Sequence, residues 1–246
     1  MNQRIAINGF GRIGRTVLRA WTARESLRQT VSIAAINEIA DPETVAHLTQ
    51  YDSTHGRFPG TVARTDDALI VNGQSIALLR HTHIDKLPWR DLGIDLVIES
   101  TGAFSDRVTA EQHIHSGARR VLFSQPAQSD VDATIVWGLN QSELQGNHQI
   151  ISAGSCTTNA LCPVLKIIDD VFGIEAGTIT TVNSAMNDQP FLGSSAMPWV
   201  SLRVPGTVLC AISVMVGIPL ENLGGVKTQG CLANFNGYTV TSKVPI

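Results

Sequence analysis

The chain is poor in cysteine, in aromatic residues and in charge of either sign, and each shortage excludes something. Its four cysteines (Cys156, Cys162, Cys210 and Cys231) form no CxxC pair and no paired histidine spacing. No metal site and no disulfide framework are therefore expected, and a reducing, cytoplasmic compartment is. Lysine and arginine number 18 against 21 acidic residues, a formal charge of −3. That leaves no basic footprint for nucleic acid or an anionic membrane. The longest apolar stretch, Val208 to Ile218, is about half of what a membrane-spanning helix needs. The N-terminus runs directly into a strand-like segment without a basic-then-apolar leader, so no secretory signal is expected. Repeats and low-complexity tracts are absent. What remains is 246 residues, 43% of them hydrophobic, enough for one large domain or two smaller ones.

The order of elements predicts a doubly wound α/β architecture. Arg4 to Asn8 is a short apolar run that reads as a buried strand, and Gly9-Phe-Gly-Arg-Ile-Gly14 follows at once. Arg15 to Arg24 reads as a helix with Ile13, Val17 and Leu18 on one face. Val31 to Asn37 is a second buried strand. Asp41-Pro42 opens another helix, because aspartate caps well and proline suits the first helical position. Asn72-Gly73, flanked by Ala68–Val71 and Gln74–Leu79, is a strong hairpin turn. A strand at Asp95–Ser100, a helix around Val108–Ser116 and a strand at Arg120–Ser124 continue the alternation. Strands alternating with helices imply a Rossmann-type parallel sheet. The pattern changes near residue 150: Asn147–Ser152 is strand-like, Ser155–Phe172 helical and closed by Gly173, and Thr178–Val182 strand-like. The pattern therefore places a domain boundary near Ser152, with residues 1–152 in one domain and 153–246 in a second. Beyond Pro190 the periodicity weakens.

GxGxxG alone is a weak signal, but here it follows a strand, opens a helix and lies within a βαβ unit. Gly9 allows a tight turn, Gly11 lets backbone approach a pyrophosphate, and Gly14 lets helix and strand pack closely. Amide N–H groups at the helix start can then hold the phosphates. Glu38 ends the second strand, 24 residues after Gly14, near the spacing of an acid that binds ribose hydroxyls. An acid there repels a 2′-phosphate, so the expected cofactor is NAD rather than NADP. The alternative is a strand-turn-helix without a ligand, with Glu38 a solvated strand-end acid.

Ser155-Cys-Thr-Thr-Asn159 stands where a loop gives way to a helix. A thiol at a helix N-terminus meets the positive end of the dipole and nearby N–H donors, which favours the nucleophilic thiolate. Thr157 and Thr158 offer donors to an anionic substrate. A lone cysteine is otherwise a small buried hydrophobe, the reading preferred for Cys162, Cys210 and Cys231. Cys162, six residues on, lies about 240° round the helix and cannot act as a resolving partner.

Three segments together carry a resemblance: Ile7-Asn-Gly-Phe-Gly-Arg-Ile-Gly-Arg15, Ser100-Thr-Gly102 and Ser155-Cys-Thr-Thr-Asn159. Over residues 1–190 the chain resembles the glyceraldehyde-3-phosphate dehydrogenase family. Ala35-Ile-Asn-Glu38, Tyr51-Asp-Ser-Thr-His-Gly-Arg-Phe58, Leu87-Pro-Trp-Arg90, Asp132-Ala-Thr-Ile-Val136 and Ser184-Ala-Met186 are similar to its erythrose-4-phosphate dehydrogenase branch. The resemblance implies NAD-dependent oxidation of a phosphorylated aldose through a cysteine adduct. In that branch the product is 4-phosphoerythronate, on the route to pyridoxal phosphate. It further implies that Arg12 and Ile13 contact pyrophosphate, that Glu38 faces the adenosine ribose, and that Thr101 and Ser124 line the cofactor cleft. Cys156 takes the place of the nucleophile, with Ser155 and Thr157 as its substrate-contacting neighbours. The family is homotetrameric, but the segments that build those contacts have few counterparts here.

Four departures bear on activity. Asn183 stands where the family has a histidine, and an asparagine cannot serve as a base near neutral pH. Ala153 and Gly154 replace the usual Asn and Ala before the cysteine. Thr82 replaces an adenine-side arginine. After Asp188-Gln189 the family continues through a long loop and helix, whereas here only residues 190–200 precede Ser201-Leu-Arg-Val-Pro205, where Arg203 is either a phosphate contact or a solvated strand end. No counterpart of the family's C-terminal helix is legible beyond Cys210, so the resemblance implies an NAD-binding domain at residues 1–152 and a shortened, incomplete α+β catalytic domain at 153–246.

Overall fold

The computed structural model describes residues 2–182, 211–217 and 236–240, with side chains described through residue 180. The chain divides into two compact units, Met1–Cys156 and Thr157–Ile246.

The first unit opens with β1 (Gln3–Asn8), α1 (Arg12–Ala23), α2 (Glu25–Thr30), β2 (Val31–Asn37) and α3 (Pro42–Gln50). One short pair follows, β3 (Tyr51–Asp52) with β4 (Gly56–Arg57), then three strands, β5 (Val62–Arg64), β6 (Ala68–Val71) and β7 (Gln74–Leu79). The unit continues with β8 (Leu96–Glu99), α4 (Arg107–His115), β9 (Arg120–Phe123), β10 (Ala133–Thr134) and β11 (Ile150–Ser152). Nine strands form one sheet in the order β10-β11-β9-β8-β1-β2-β7-β6-β5. From β10 to β7 every neighbouring pair is parallel, and β6 and β5 add an antiparallel edge. The carboxyl ends of the parallel strands therefore share one edge. The chain order reverses at β1, flanked by β2 and β8, which is the switch point at which such sheets bind ligands.

Physical reasons for these elements are local and then tertiary. The central strands are short apolar runs buried on both faces, as parallel strands are. Ile7, Leu18, Trp21 and Ile36 form part of one core cluster, and Ala6, Trp89, Ile94 and Val97 part of a second. Each large side chain so buried stabilises the fold by about 1.5–3 kcal/mol. Asp41 caps α3: its carboxylate accepts from Thr44 N at 2.8 Å and from the Thr44 hydroxyl at 2.7 Å. Those bonds hold the Asp41 pKa below its ordinary value. Asp106 caps α4 in the same way through Thr109 N at 2.8 Å. The β6–β7 hairpin turns at Asn72 and Gly73, with φ of 51° and 81°, the two positive values that a two-residue hairpin requires.

The structure corrects the expected face of α1. The helix begins at Arg12, and its buried residues are Gly14, Leu18 and Trp21, an i, i+4, i+7 stripe, while Ile13 is 46% exposed. A residue one position before the stripe is rotated about 100° from it, so Ile13 belongs to the solvent side. The short helix α2 was not legible because its six residues, Glu25 to Thr30, bury none fully and carry no apolar period.

The second unit holds all but the first residue of α5 (Cys156–Phe172), then β12 (Ala176–Val182), β13 (Ala211–Gly217) and β14 (Asn236–Val240). Helix α5 runs on through Pro163, whose missing N–H removes one bond of the ladder. Gly173 ends it at φ 71°, donating to Asp169 O at 2.8 Å, the left-handed stop that glycine adopts most cheaply. Leu161 is buried against Ala160, Leu165, Ile168 and Ile174. The three strands form an antiparallel sheet with β13 central. The apolar run from Val208 to Ile218 thus contributes a strand. Among the described residues, no helix is long and apolar enough to cross a membrane.

Candidate functional site

A crevice of about 340 Å³ opens at the carboxyl ends of β1, β2 and β8, with Asn8, Gly11, Glu38, His81 and Thr101 among its lining residues. That volume is within the range of ligand pockets. Two glycines make the loop after β1 possible, for opposite reasons. Gly9 has φ of 88°, and a Cβ there would lie 2.5 Å from Thr101 N. The loops after β1 and β8 are pressed together at that point, with the Ser100 hydroxyl donating to Gly9 O at 2.6 Å. Gly11 is exposed, and a Cβ there would meet nothing within 4 Å. Its bare backbone borders open crevice, a cradle that a methyl group would partly fill. Gly14 is the packing glycine: its Cβ would lie 2.4 Å from Gly9 O.

Helix α1 starts at this loop, and its N-cap residue Gly11 supplies no side-chain cap. Arg12 and Ile13 are exposed in its first turn. N–H groups left without a side-chain partner at a helix start suit a phosphate. Glu38 lines the same crevice half-buried; its Oε2 accepts from Phe10 N at 2.8 Å and its Oε1 from Ala40 N at 3.3 Å. The carboxylate is thus tied to the glycine loop. Arg15 donates to Phe10 O at 3.0 Å. Burial lowers the pKa of its guanidinium, against the pull of the Asp52 and Glu38 carboxylates. Thr101 lines the crevice, and Thr82 is exposed on its rim. Ser124 is not among the lining residues; its N–H donates to Glu99 O at 3.0 Å, which places it one strand further across the sheet.

Cys156 is the first residue of α5 and is exposed; Cys162 on the same helix is half-buried. Ser155 and Thr157 flank it, both half-buried. Because β11 is parallel to β9, β8 and β1, the segment leading to Cys156 departs from the same sheet edge as the glycine loop. Asn183 and Arg203 lie outside the described residues.

The floor of the crevice was missed in the sequence. Asn8 and Asn37 are buried at the ends of β1 and β2, with Asn37 Nδ2 donating to Asn8 Oδ1 at 2.8 Å. Beside them, at the end of β8, Glu99 is fully buried. A signal was present: each of three apolar strands ends on a residue able to bond across the sheet.

A parallel sheet with a glycine loop and an anchored acid at its switch point defines an α/β protein of the dinucleotide-binding class. Residues 3–107 match the NAD binding domain of glyceraldehyde 3-phosphate dehydrogenase, and residues 155–213 match the C-terminal domain of the same enzyme. Between them the two matches span about two thirds of the chain. The chain belongs to the glyceraldehyde-3-phosphate dehydrogenase superfamily. Its cofactor is NAD, and the class of reaction is the dehydrogenation of a phosphorylated aldehyde.

Proposed function

We propose that the chain oxidises D-erythrose 4-phosphate to 4-phosphoerythronate through Cys156, with turnover held low by Asn183. One observation carries the chemistry: an exposed cysteine at the first residue of a helix, on the sheet edge from which the NAD-binding loop departs. The Cys156 thiolate adds to the aldehyde carbon, and the alkoxide formed gains a proton to give a thiohemiacetal. Loss of hydride and of the hydroxyl proton leaves a thioester on Sγ. Water then adds and the thiolate departs, releasing the acid. Bound NAD supplies the hydride acceptor. Ser155 and Thr157 are the substrate-contacting neighbours, and Arg203 the contact for the substrate phosphate. Glu38, Gly9, Gly11, Gly14, Arg12 and Ile13 hold the cofactor, with Thr101 on the wall and Ser124 towards the next strand.

Two further readings have support. Asn183 favours a protein that binds NAD without turnover, since the general base is absent at that position. The family matches fit glyceraldehyde 3-phosphate equally as substrate. The decisive assay is NADH formation from each aldose phosphate, for the chain and for Asn183→His. Activity should be low in the natural chain and rise on the order of 10²–10⁴-fold in the variant. Robust activity without the substitution would overturn the role given to Asn183. Preference for glyceraldehyde 3-phosphate would overturn the substrate.

A further inference from the structure

We propose that Glu99 is a positioning residue of the NAD site, acting through a belt of side chains that passes under the crevice and ties its opposite walls together. The inference rests on NAD binding in this crevice and adds the residues that set its shape. Glu99 is 0% exposed. Its Oε1 accepts from Thr101 N at 2.9 Å and from the Thr101 hydroxyl. Its Oε2 accepts from Asn8 Nδ2 at 2.6 Å and lies 3.1 Å from His113 Nε2. Asn8 Oδ1 in turn accepts from Asn37 Nδ2, and the Asn37 amide both donates to His81 O at 3.0 Å and accepts from His81 N at 2.9 Å. Thr101, Asn8, Asn37 and His81 all line the crevice. The belt therefore runs from one wall, beneath the floor, to the other.

The groups behind Glu99 fix its orientation. Trp89 and His113 are both fully buried, and Trp89 Nε1 lies 2.9 Å from His113 Nδ1. An indole N–H can only donate. His113 Nδ1 therefore accepts, and Nε2 carries the proton that is donated to Glu99. A buried carboxylate is costly to keep unless every oxygen is satisfied, and here each oxygen has two donors. Two of the four come from Thr101 and one from Asn8, both crevice residues. An apolar side chain at position 99 could fill the space but could hold neither Thr101 nor Asn8.

The test uses the full chain. NAD is titrated by calorimetry into the natural protein, Glu99→Gln and the distant core variant Ile150→Val, each well below its melting temperature. A carboxamide keeps the shape of Glu99 but replaces one accepting oxygen by an NH2 group, which opposes two of the four donors. The Kd for NAD should rise at least tenfold in Glu99→Gln and stay within twofold in Ile150→Val. An unchanged Kd in a folded Glu99→Gln would overturn the proposal. A second readout needs no variant at position 99. In ¹⁵N-tryptophan-labelled protein, the Trp89 indole cross-peak is assigned by its loss in Trp89→Phe or by elimination with variants of Trp21, Trp137 and Trp199. It should move on NAD addition, because the belt connects it to the crevice. A stationary peak at saturating NAD would also overturn the proposal. Failure of the natural chain to bind NAD would sink the cofactor assignment itself, a result distinct from binding that ignores Glu99.

Discussion

At the scale of single residues, the two loop glycines make opposite demands, and substitution should separate them. Alanine at position 9 must adopt a φ of 88° and place its Cβ 2.5 Å from Thr101 N. The left-handed backbone alone costs about 1–2 kcal/mol, and the contact forces the two loops apart as well. Gly9→Ala should therefore lower the melting temperature and weaken NAD binding together. Gly11→Ala meets nothing within 4 Å, so its melting temperature should stay put while the Kd for NAD rises about tenfold, or about 1.4 kcal/mol. Thermal melts and calorimetry on the pair check this. Equal effects on stability would show that Gly11 is not a bare approach surface.

At the scale of elements, Asp132 joins three pieces of chain that are distant in sequence. Its Oδ2 accepts from Gln149 N at 2.7 Å and Ile150 N at 3.0 Å, and its Oδ1 pairs with Arg107 of α4. Burial works against the charged form, but the two N–H groups and the Arg107 guanidinium outweigh it and hold the carboxyl pKa below its ordinary value. The folded carboxyl thus titrates below the unfolded one, near 3.9. Its stabilisation is complete above that value and is lost as pH falls through the folded one. Asp132→Asn should cost about 1 kcal/mol at neutral pH, after allowance for partial exposure. The difference from the natural chain should close in acid. Denaturant melts at neutral pH and near pH 3 check it, and a gap that persists unchanged in acid would rule out the charge as its source.

At the scale of the whole molecule, NAD binds the folded chain and not the unfolded one, so it must stabilise by mass action. At 100 times its Kd the gain is about 2.7 kcal/mol, read as a rise in melting temperature. NADP at the same concentration should give a smaller rise if the Glu38 carboxylate, which lines the crevice, repels the added 2′-phosphate as proposed. Equal shifts from the two nucleotides would remove Glu38 from the discrimination.

The alternation of strands and helices, the hairpin at Asn72-Gly73 and the cap at Asp41 were legible in the sequence because each follows from local chemistry: burial of a short apolar run, a turn that needs positive φ, a carboxylate beside an open N–H. The glycine turn after β1 and the place of Cys156 at a helix start were legible for the same reason, since backbone conformation and helix position follow from local sequence. Sheet order, the exposed turn of Ile13 and the belt through Glu99, Asn8 and Asn37 were not. Those depend on which strands become neighbours: the Glu99 carboxylate meets Asn8, 91 positions away, only when β1 and β8 pair. Sequence by itself set the elements and the chemistry they can offer; tertiary pairing alone decided which of those groups meet beneath the crevice.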